Sequence, residues 1–331
     1  MVTGSICGRF ARRNLLFITL FGLGLPAHGG AEPYPSQVIR IVVPPGPGTP
    51  PDIISRIVAN ELATSEGWRV VVENHPGALQ TIGMADVLKH PADGYTLLAM
   101  SVPVTIAPAL LPALGIRPDV DFTPIAKIST SYLALVVTPS LPVKSLPELV
   151  DLLKNKPGQL NFSSGGYGTP AHVIGEMFKL QTGVQATHIP YQAMSRSLGD
   201  LMSGTVQYQF ITTLPIVDLV AVGKLRAIAV TSPHRLSMLK DVLTVAEQGF
   251  PDLAVEDWVG FAAKSGTPPD IIIRLNQAIN KALATPKVRD AFAKLAAEPA
   301  GGTPAEFGKL VSAQVVQWRN VVKEAGIKIP Q

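Results

Sequence analysis

Cysteine is nearly missing from this chain. Its single copy, Cys7, stands within the first ten residues, so the remainder can form no internal disulfide, no catalytic thiol and no thiolate metal site. Charged side chains make up only 16% of the residues, and neither sign is gathered into a block. Without a basic stripe there is no electrostatic footprint for nucleic acid or an anionic membrane surface. No apolar run reaches the roughly 20 residues that a membrane-spanning helix needs. His75, His90, His172, His188 and His234 lack metal-ligand spacing and read as surface or capping residues. Gly-x-Ser-x-Gly, the nucleophile elbow, does not occur, and no internal repeat or low-complexity segment is evident.

What the chain does have begins with Arg9, Arg12 and Arg13. An apolar run from Leu15 to Leu25 follows, then Pro26 and the small residues Ala27-His28-Gly29-Gly30-Ala31. This is the order of a secretory signal peptide, expected over residues 1–31 with cleavage near Ala31. Arg12-Arg13-Asn14-Leu15-Leu16 faintly resembles a twin-arginine signal, so the export route stays open. Loss of the leader would remove Cys7 and lower the formal charge from +4 to +1, because three arginines leave and no acid does. The remaining chain, about 300 residues, is long enough for two domains with cores that need no covalent staples.

Short β-branched runs alternate with helical periodicity along the rest. Strands are expected at Val38–Val43, Arg69–Val72, Thr96–Met100, Leu133–Val137, Asn161–Ser163, Thr187–Ile189, Tyr208–Ile211 and Leu225–Val230. Helices are expected at Asp52–Ser65, Ile82–Lys89, Leu146–Lys154, Pro170–Gln181 and Arg196–Met202, with longer helical patterns in 268–331. Runs such as Ile39–Val43 and Leu225–Val230 read as parallel strands covered on both faces. The alternation implies an α/β fold. Four helix starts share one grammar: Thr49-Pro50-Pro51-Asp52, Ser145-Leu146-Pro147-Glu148, Thr267-Pro268-Pro269-Asp270 and Thr303-Pro304-Ala305-Glu306. Each offers a hydroxyl cap, proline in the first turn and an acid three residues on.

Several segments in this order carry a resemblance. They include Tyr34-Pro35-Ser36 before Ile39-Arg40-Ile41-Val42-Val43-Pro44, Val71-Val72-Glu73-Asn74-His75-Pro76-Gly77-Ala78 and Asp93-Gly94-Tyr95-Thr96-Leu97-Leu98. Pro157–Gly165, His188-Ile189-Pro190-Tyr191, Gly223–Thr231 and Val322-Lys323-Glu324-Ala325-Gly326 follow. From Tyr34 to Ile329 the chain resembles the Bug-type periplasmic receptors of tripartite tricarboxylate transporters. The resemblance implies a type II periplasmic binding protein: two α/β domains around a ligand cleft, joined by two crossing strands near Leu133–Val137 and Val255–Phe261. One domain would comprise 32–133 plus 258–331, the other 134–257. It further implies a periplasmic, monomeric, non-enzymatic receptor without a cofactor. Such a receptor captures a small organic acid and passes it to a membrane permease.

In open α/β sheets, ligands bind beyond the carboxyl ends of strands, where helix N-termini offer free N–H groups and positive dipole ends. Two loops fit: Pro44–Asp52, and Ser163–Pro170 leading to His172. The expected ligand-binding residues are Gly46, Gly48, Thr49, Asp52, Ser163, Ser164, Gly166, Tyr167, Thr169 and Thr212. Neither loop contains lysine or arginine, so a carboxylate would be held by N–H groups and hydroxyls, Ser164 among them. Asp52 is equally explained as a capping acid. The chain departs from the family at Pro50 and Pro51, which carry no N–H. It departs again at Ile211-Thr212-Thr213, where many relatives place an aspartate; this leaves recognition of a ligand amine open.

Two alternatives remain at this level. Gly46-Pro47-Gly48 after a strand, with Glu73 ending the next, mimics a dinucleotide fingerprint and suggests an NAD-type oxidoreductase, although Pro51 replaces the third glycine. A secreted sensing module without a transporter is the other. Trp68, Trp258 and Trp318 read as core, with Trp258 at a crossing where it could face the cleft.

Overall fold

The computed structural model describes residues 34–329, besides Met1, Gly4 and Ser5. The expected leader, Cys7 and the Ala31 cleavage site lie outside the described residues. Contacts divide the chain at Pro33, and everything below concerns the unit from Tyr34 onward. Its first part runs β1 (Ile39–Val43), α1 (Pro50–Glu66), β2 (Val70–Asn74), α2 (Thr81–Lys89), β3 (Thr96–Ser101), α3 (Val102–Leu110), α4 (Pro118–Asp121) and β4 (Phe122–Val137). The middle contains α5 (Leu146–Asn155), β5 (Asn161–Ser164), α6 (Pro170–Thr182), β6 (Thr187–Pro190), α7 (Met194–Ser203), β7 (Tyr208–Thr212), α8 (Val217–Ala221) and β8 (Arg226–Val230). The chain ends with β9 (Glu256–Lys264), α9 (Pro269–Leu283), α10 (Pro286–Ala293), β10 (Glu298–Gly301) and α11 (Pro304–Glu324). Among the described residues, no helix is long and apolar enough to cross a membrane.

β4 belongs to two sheets. Its stretch Phe122–Tyr132 lies antiparallel to β9, and Leu133–Val137 lies antiparallel to β7. The first sheet therefore runs β2-β1-β3-β9-β4, with β10 beside β4, and the second continues through β7, β5 and β6, with β8 also on β4. β1 is parallel to β2 and β3, as its buried run implies. β8 corrects the same expectation: it is antiparallel to β4, which it flanks alone among named strands. The two α/β domains of a type II periplasmic binding protein are present, and β4 passes from one sheet into the other.

A continuous apolar core runs under both sheets. It takes Val42, Leu98 and Met100 from the first, Leu135, Phe162 and Phe210 from the second, and Phe307 and Trp318 from α11. Helix α11 closes it. Trp258 does not face the cleft. It is buried, its Nε1–H donates to Gln314 Oε1 at 2.9 Å, and its ring stands edge-on to Phe307. Side chains alternate along a strand, so Asp257 is the residue turned the other way.

Only two of the four helix starts are capped as their grammar implied. Thr303 and Glu306 form a reciprocal capping box, and Ser145 Oγ accepts from Glu148 N–H. Helix α9 begins one residue later than expected, after Pro268, and has no side-chain cap. Thr49 caps nothing.

Gly260 leaves the space that Phe307 fills: a Cβ there would press into the ring. Phe307 is itself buried, so it has little room to retreat. Gly260→Ala should destabilise the fold by about 1–3 kcal/mol through overpacking, read as a lowered thermal midpoint.

Candidate functional site

Two loops leave strand ends and enter helices with one shared pattern of hydrogen bonds, although Gly166 is at φ 116° and Gly46 is not at positive φ. Gly46-Pro47-Gly48-Thr49-Pro50 precedes α1, and Gly166-Tyr167-Gly168-Thr169-Pro170 precedes α6. Gly48 and Gly168 sit at φ 78° and 71°, a region where a Cβ would be strained. Thr49 Oγ1 donates back to Gly46 O at 2.7 Å, and Thr169 Oγ1 donates to Gly166 O at 2.8 Å. Gly48 N–H donates to Asp52 Oδ2 at 2.9 Å, while Gly168 N–H donates to His172 Nδ1 at 3.2 Å. The loops are one local motif used twice, a repeat too short to register as a repeat of elements. Because each threonine hydroxyl turns backward, the helix-start N–H groups keep no side-chain cap.

The two loops meet across a cavity of about 300 Å³. Thr49, Pro50 and Pro51 line one side, and Gly165, Thr169, Pro170 and Ala171 line the other. A second cavity, of about 410 Å³, shares Thr49, Pro50, Met194, Thr212 and Asp257 with it and adds Gly48, Ile53 and Ser131. No lysine, arginine or histidine lines either. Of the expected residues, Gly48, Thr49, Thr169 and Thr212 come together on these walls.

The others lie behind the walls. Asp52 is a buried strut: Arg56, Asn74 and Gly48 all donate to it. Burial works to raise its pKa, but these donors outweigh that and hold it below the usual carboxylate range. Ser163 donates to Gln209, and Ser164 Oγ contacts His188 Nε2 at 2.6 Å while accepting from Gly166 N–H. Both serines are fully buried. Gly46 and Gly166 accept the threonine hydroxyls, and Tyr167 packs edge-on against His172 and His188.

Residues 54–327 match the sequence profile of the tripartite tricarboxylate transporter family receptor. The chain belongs to this receptor family. It is 34% identical to the Bordetella pertussis protein BugT over 316 residues, which cover 95% of this chain and 96% of that one. Among solved structures, a periplasmic transporter is 35% identical with a TM-score of 0.77, the match covering 89% of this chain and 99% of the other. An R. palustris protein solved with adipate is 31% identical, with a TM-score of 0.76 over the same shares of the two chains. MatC from Rhodopseudomonas palustris, with bound malate, is 29% identical with a TM-score of 0.74, covering 87% of this chain and all of that one.

Sequence reasoning missed several residues that line the receptor's cleft. Gln80, Ser101, Met194 and Asp257 come from elements that meet only in three dimensions. The repeated Gly-x-Gly-Thr-Pro, by contrast, is visible in the sequence. Asp257 pairs in register with Ser131 on β4. Its Oδ1 accepts from its neighbour Trp258 N–H at 3.1 Å. Desolvation pushes this carboxyl up to about 7, with Glu256 adding to the rise and the Trp258 N–H opposing it.

His172 and His188 are not surface residues. Their rings stack at 4.1 Å behind the second loop, and only His172 caps, by accepting the Gly168 N–H. Desolvation lowers His172 to about 4 and His188 to about 3, with nearby Lys179 adding to both. Both therefore fold neutral, while the unfolded chain takes up their protons below about pH 6.5. Their contribution to stability should be complete above that pH and lost progressively as it falls toward 4, while the raised Asp257 carboxyl works in the opposite direction over the same range. The slope is at most about 1.4 kcal/mol per pH unit for each histidine. Melting curves from pH 8 to 4 for the parent and for a His172→Gln/His188→Gln double variant should differ by this slope, the parent losing more stability toward acid pH.

Ser164 ties the loop to His188, so Ser164→Ala should lower the unliganded midpoint. The expected cost is about 1–3 kcal/mol, because buried partners lose their hydrogen bonds. An unchanged midpoint would return Ser164 to the role of a direct ligand donor.

Proposed function

We propose that this receptor binds a small carboxylate in the cleft between the Gly46–Asp52 and Gly166–His172 loops and delivers it to a membrane permease. One observation carries the reading. Thr49 and Thr169, at the same place in two turns that share one hydrogen-bond pattern, line one cavity from opposite sides. Each turn aims a helix N-terminus at that space, and such termini favour anions. The walls hold no cation that could do this instead. The cavity volumes suit a small metabolite, and relatives of the same fold are solved with adipate and with malate.

In this reading the domains are 32–133 plus 258–331 and 134–257, hinged where β4 and the start of β9 cross. Residues 1–31 are a signal peptide removed on export to the periplasm, and the receptor works as a monomer without chemistry of its own. The dinucleotide alternative gains nothing from Glu73, whose carboxylate is taken by Arg40 at 2.6 Å.

Helix α1 starts with two prolines and α6 with one. Ala171, second in α6, lines the cavity, and its N–H precedes the first intrahelical bond. Ala171→Pro copies the Pro50-Pro51 start, so the helix tolerates it, but one N–H is deleted. Titration calorimetry with mono-, di- and tricarboxylates should find a binder that raises the thermal midpoint. The gain is about 2.7 kcal/mol at a hundredfold over Kd. Ala171→Pro should weaken that binding by about 1.5–3 kcal/mol at an unaltered unliganded midpoint. Unweakened binding by this variant would place the carboxylate elsewhere, and a panel without any binder would refute the function.

A further inference from the structure

We propose that Asp257 makes this receptor select acids that also carry a cationic nitrogen, the ligand's carboxylate seated at the paired loops and its ammonium ion-paired with the Asp257 carboxylate. The inference rests on the loops being the carboxylate seat.

Asp257 is the one acidic or basic side chain on the walls of the two connected cavities. Its Oδ1 accepts from Trp258 N–H. Among the described residues, no hydrogen bond reaches its other oxygen. An ionised carboxylate only accepts, and in this cleft no protein cation serves it. The charged groups around it are already engaged or face elsewhere. Glu256, beside it on β9, pairs with Lys127 of β4 at 2.9 Å. Asp52, at the start of α1, is held by Arg56. Tyr132, His234, Arg235 and Glu298 line an adjoining cavity of about 330 Å³ that Asp257 does not reach; there His234 pairs with Glu298, and Arg235 with Glu247.

The missing partner is therefore a group the ligand brings. A second ligand carboxylate would meet like charge, or would have to drive a proton onto one of the two acids. A protonated amine meets neither obstacle. Its attraction is strengthened by the apolar wall of Ile53, Ile54, Met194 and Leu214, where the effective dielectric is low. The same surroundings hold the carboxyl near neutrality when empty, so an arriving cation would ionise it and expel a proton.

The test uses the exported-length protein and two matched sets: 6-aminohexanoate, hexanoate and adipate, and 4-aminobutanoate, butanoate and succinate. Calorimetry at pH 7 in buffers of different ionisation enthalpy reads affinity and proton exchange together. The amine-bearing acid of at least one set should bind tightest and release protons. Asp257→Asn keeps an acceptor for Trp258 N–H. It should weaken that acid about 10- to 100-fold and close its gap over the plain acid. Asp257→Ser is a second variant, should the first melt early. A dicarboxylate that binds tightest, takes up protons and binds Asp257→Asn at least as well would overturn the proposal while leaving the carboxylate receptor standing. Equal binding of all three acids would do the same. Failure of every acid to bind would remove both.

Discussion

One strand carries the architecture. β4 is a 16-residue ribbon whose two ends belong to different sheets, so neither sheet can be positioned without the other. β9 lies against its first part and returns the chain to the first sheet. The loops after β1 and β5 consequently rise on either side of the β4–β9 pair, and the cleft opens between them. Asp257 and Ser131, paired in register at this seam, form part of its lining. A core continuous beneath both sheets and closed by α11 backs the strands on the face where Trp258 is buried. One strand crossing and one return into β9 are few dihedrals to move, which suits hinge closure around a ligand.

The electrostatics of the cleft follow from what the walls omit. A lysine or arginine would fix an anion by charge, whereas this receptor presents dipole ends and N–H groups. The backward-turned hydroxyls of Thr49 and Thr169 hold each turn rigid without occupying the helix start. Asp52 and His172 do the same from inside each helix, accepting the N–H of the glycine in the left-handed region. One of these struts is an anion held low and the other an imidazole held neutral, so the two helix entries share one hydrogen-bond pattern but differ in charge. The first, with an ionised strut and two prolines, is the poorer anion donor; the second offers Ala171 N–H and a neutral strut.

Much of this was legible in the sequence, and the misses have physical causes. Apolar runs marked β1, β3 and β7 because those strands are buried on both faces. The first half of β4 escaped notice because Pro124, Lys127 and Ser129–Ser131 interrupt any apolar alternation; its pairing with β9 is set by residues more than a hundred positions away. Helix α3 was hidden by Pro103, in its first turn where proline is tolerated, and by Pro108 inside its last turn, which gives up an intrahelical hydrogen bond and reads as a helix breaker. The loops were legible as strand-to-helix turns, but which of their side chains reach the cavity was not. Ser163 and Ser164 look like free donors in the sequence, yet His188, Gln209 and Ser197 claim them only once β5, β6, β7 and α7 are assembled. Asp257 carries no local signal, because its place depends on strand register alone.

The central claim is that a carboxylate is held by two copies of one turn, without a cation. A crystal structure of the exported protein with its retained or soaked acid tests this most directly. The account requires carboxylate oxygens within hydrogen-bond distance of donors from both turns, directly or through one ordered water, with Ala171 N–H among them. A carboxylate bound by lysine or arginine, or by one turn only, would contradict it.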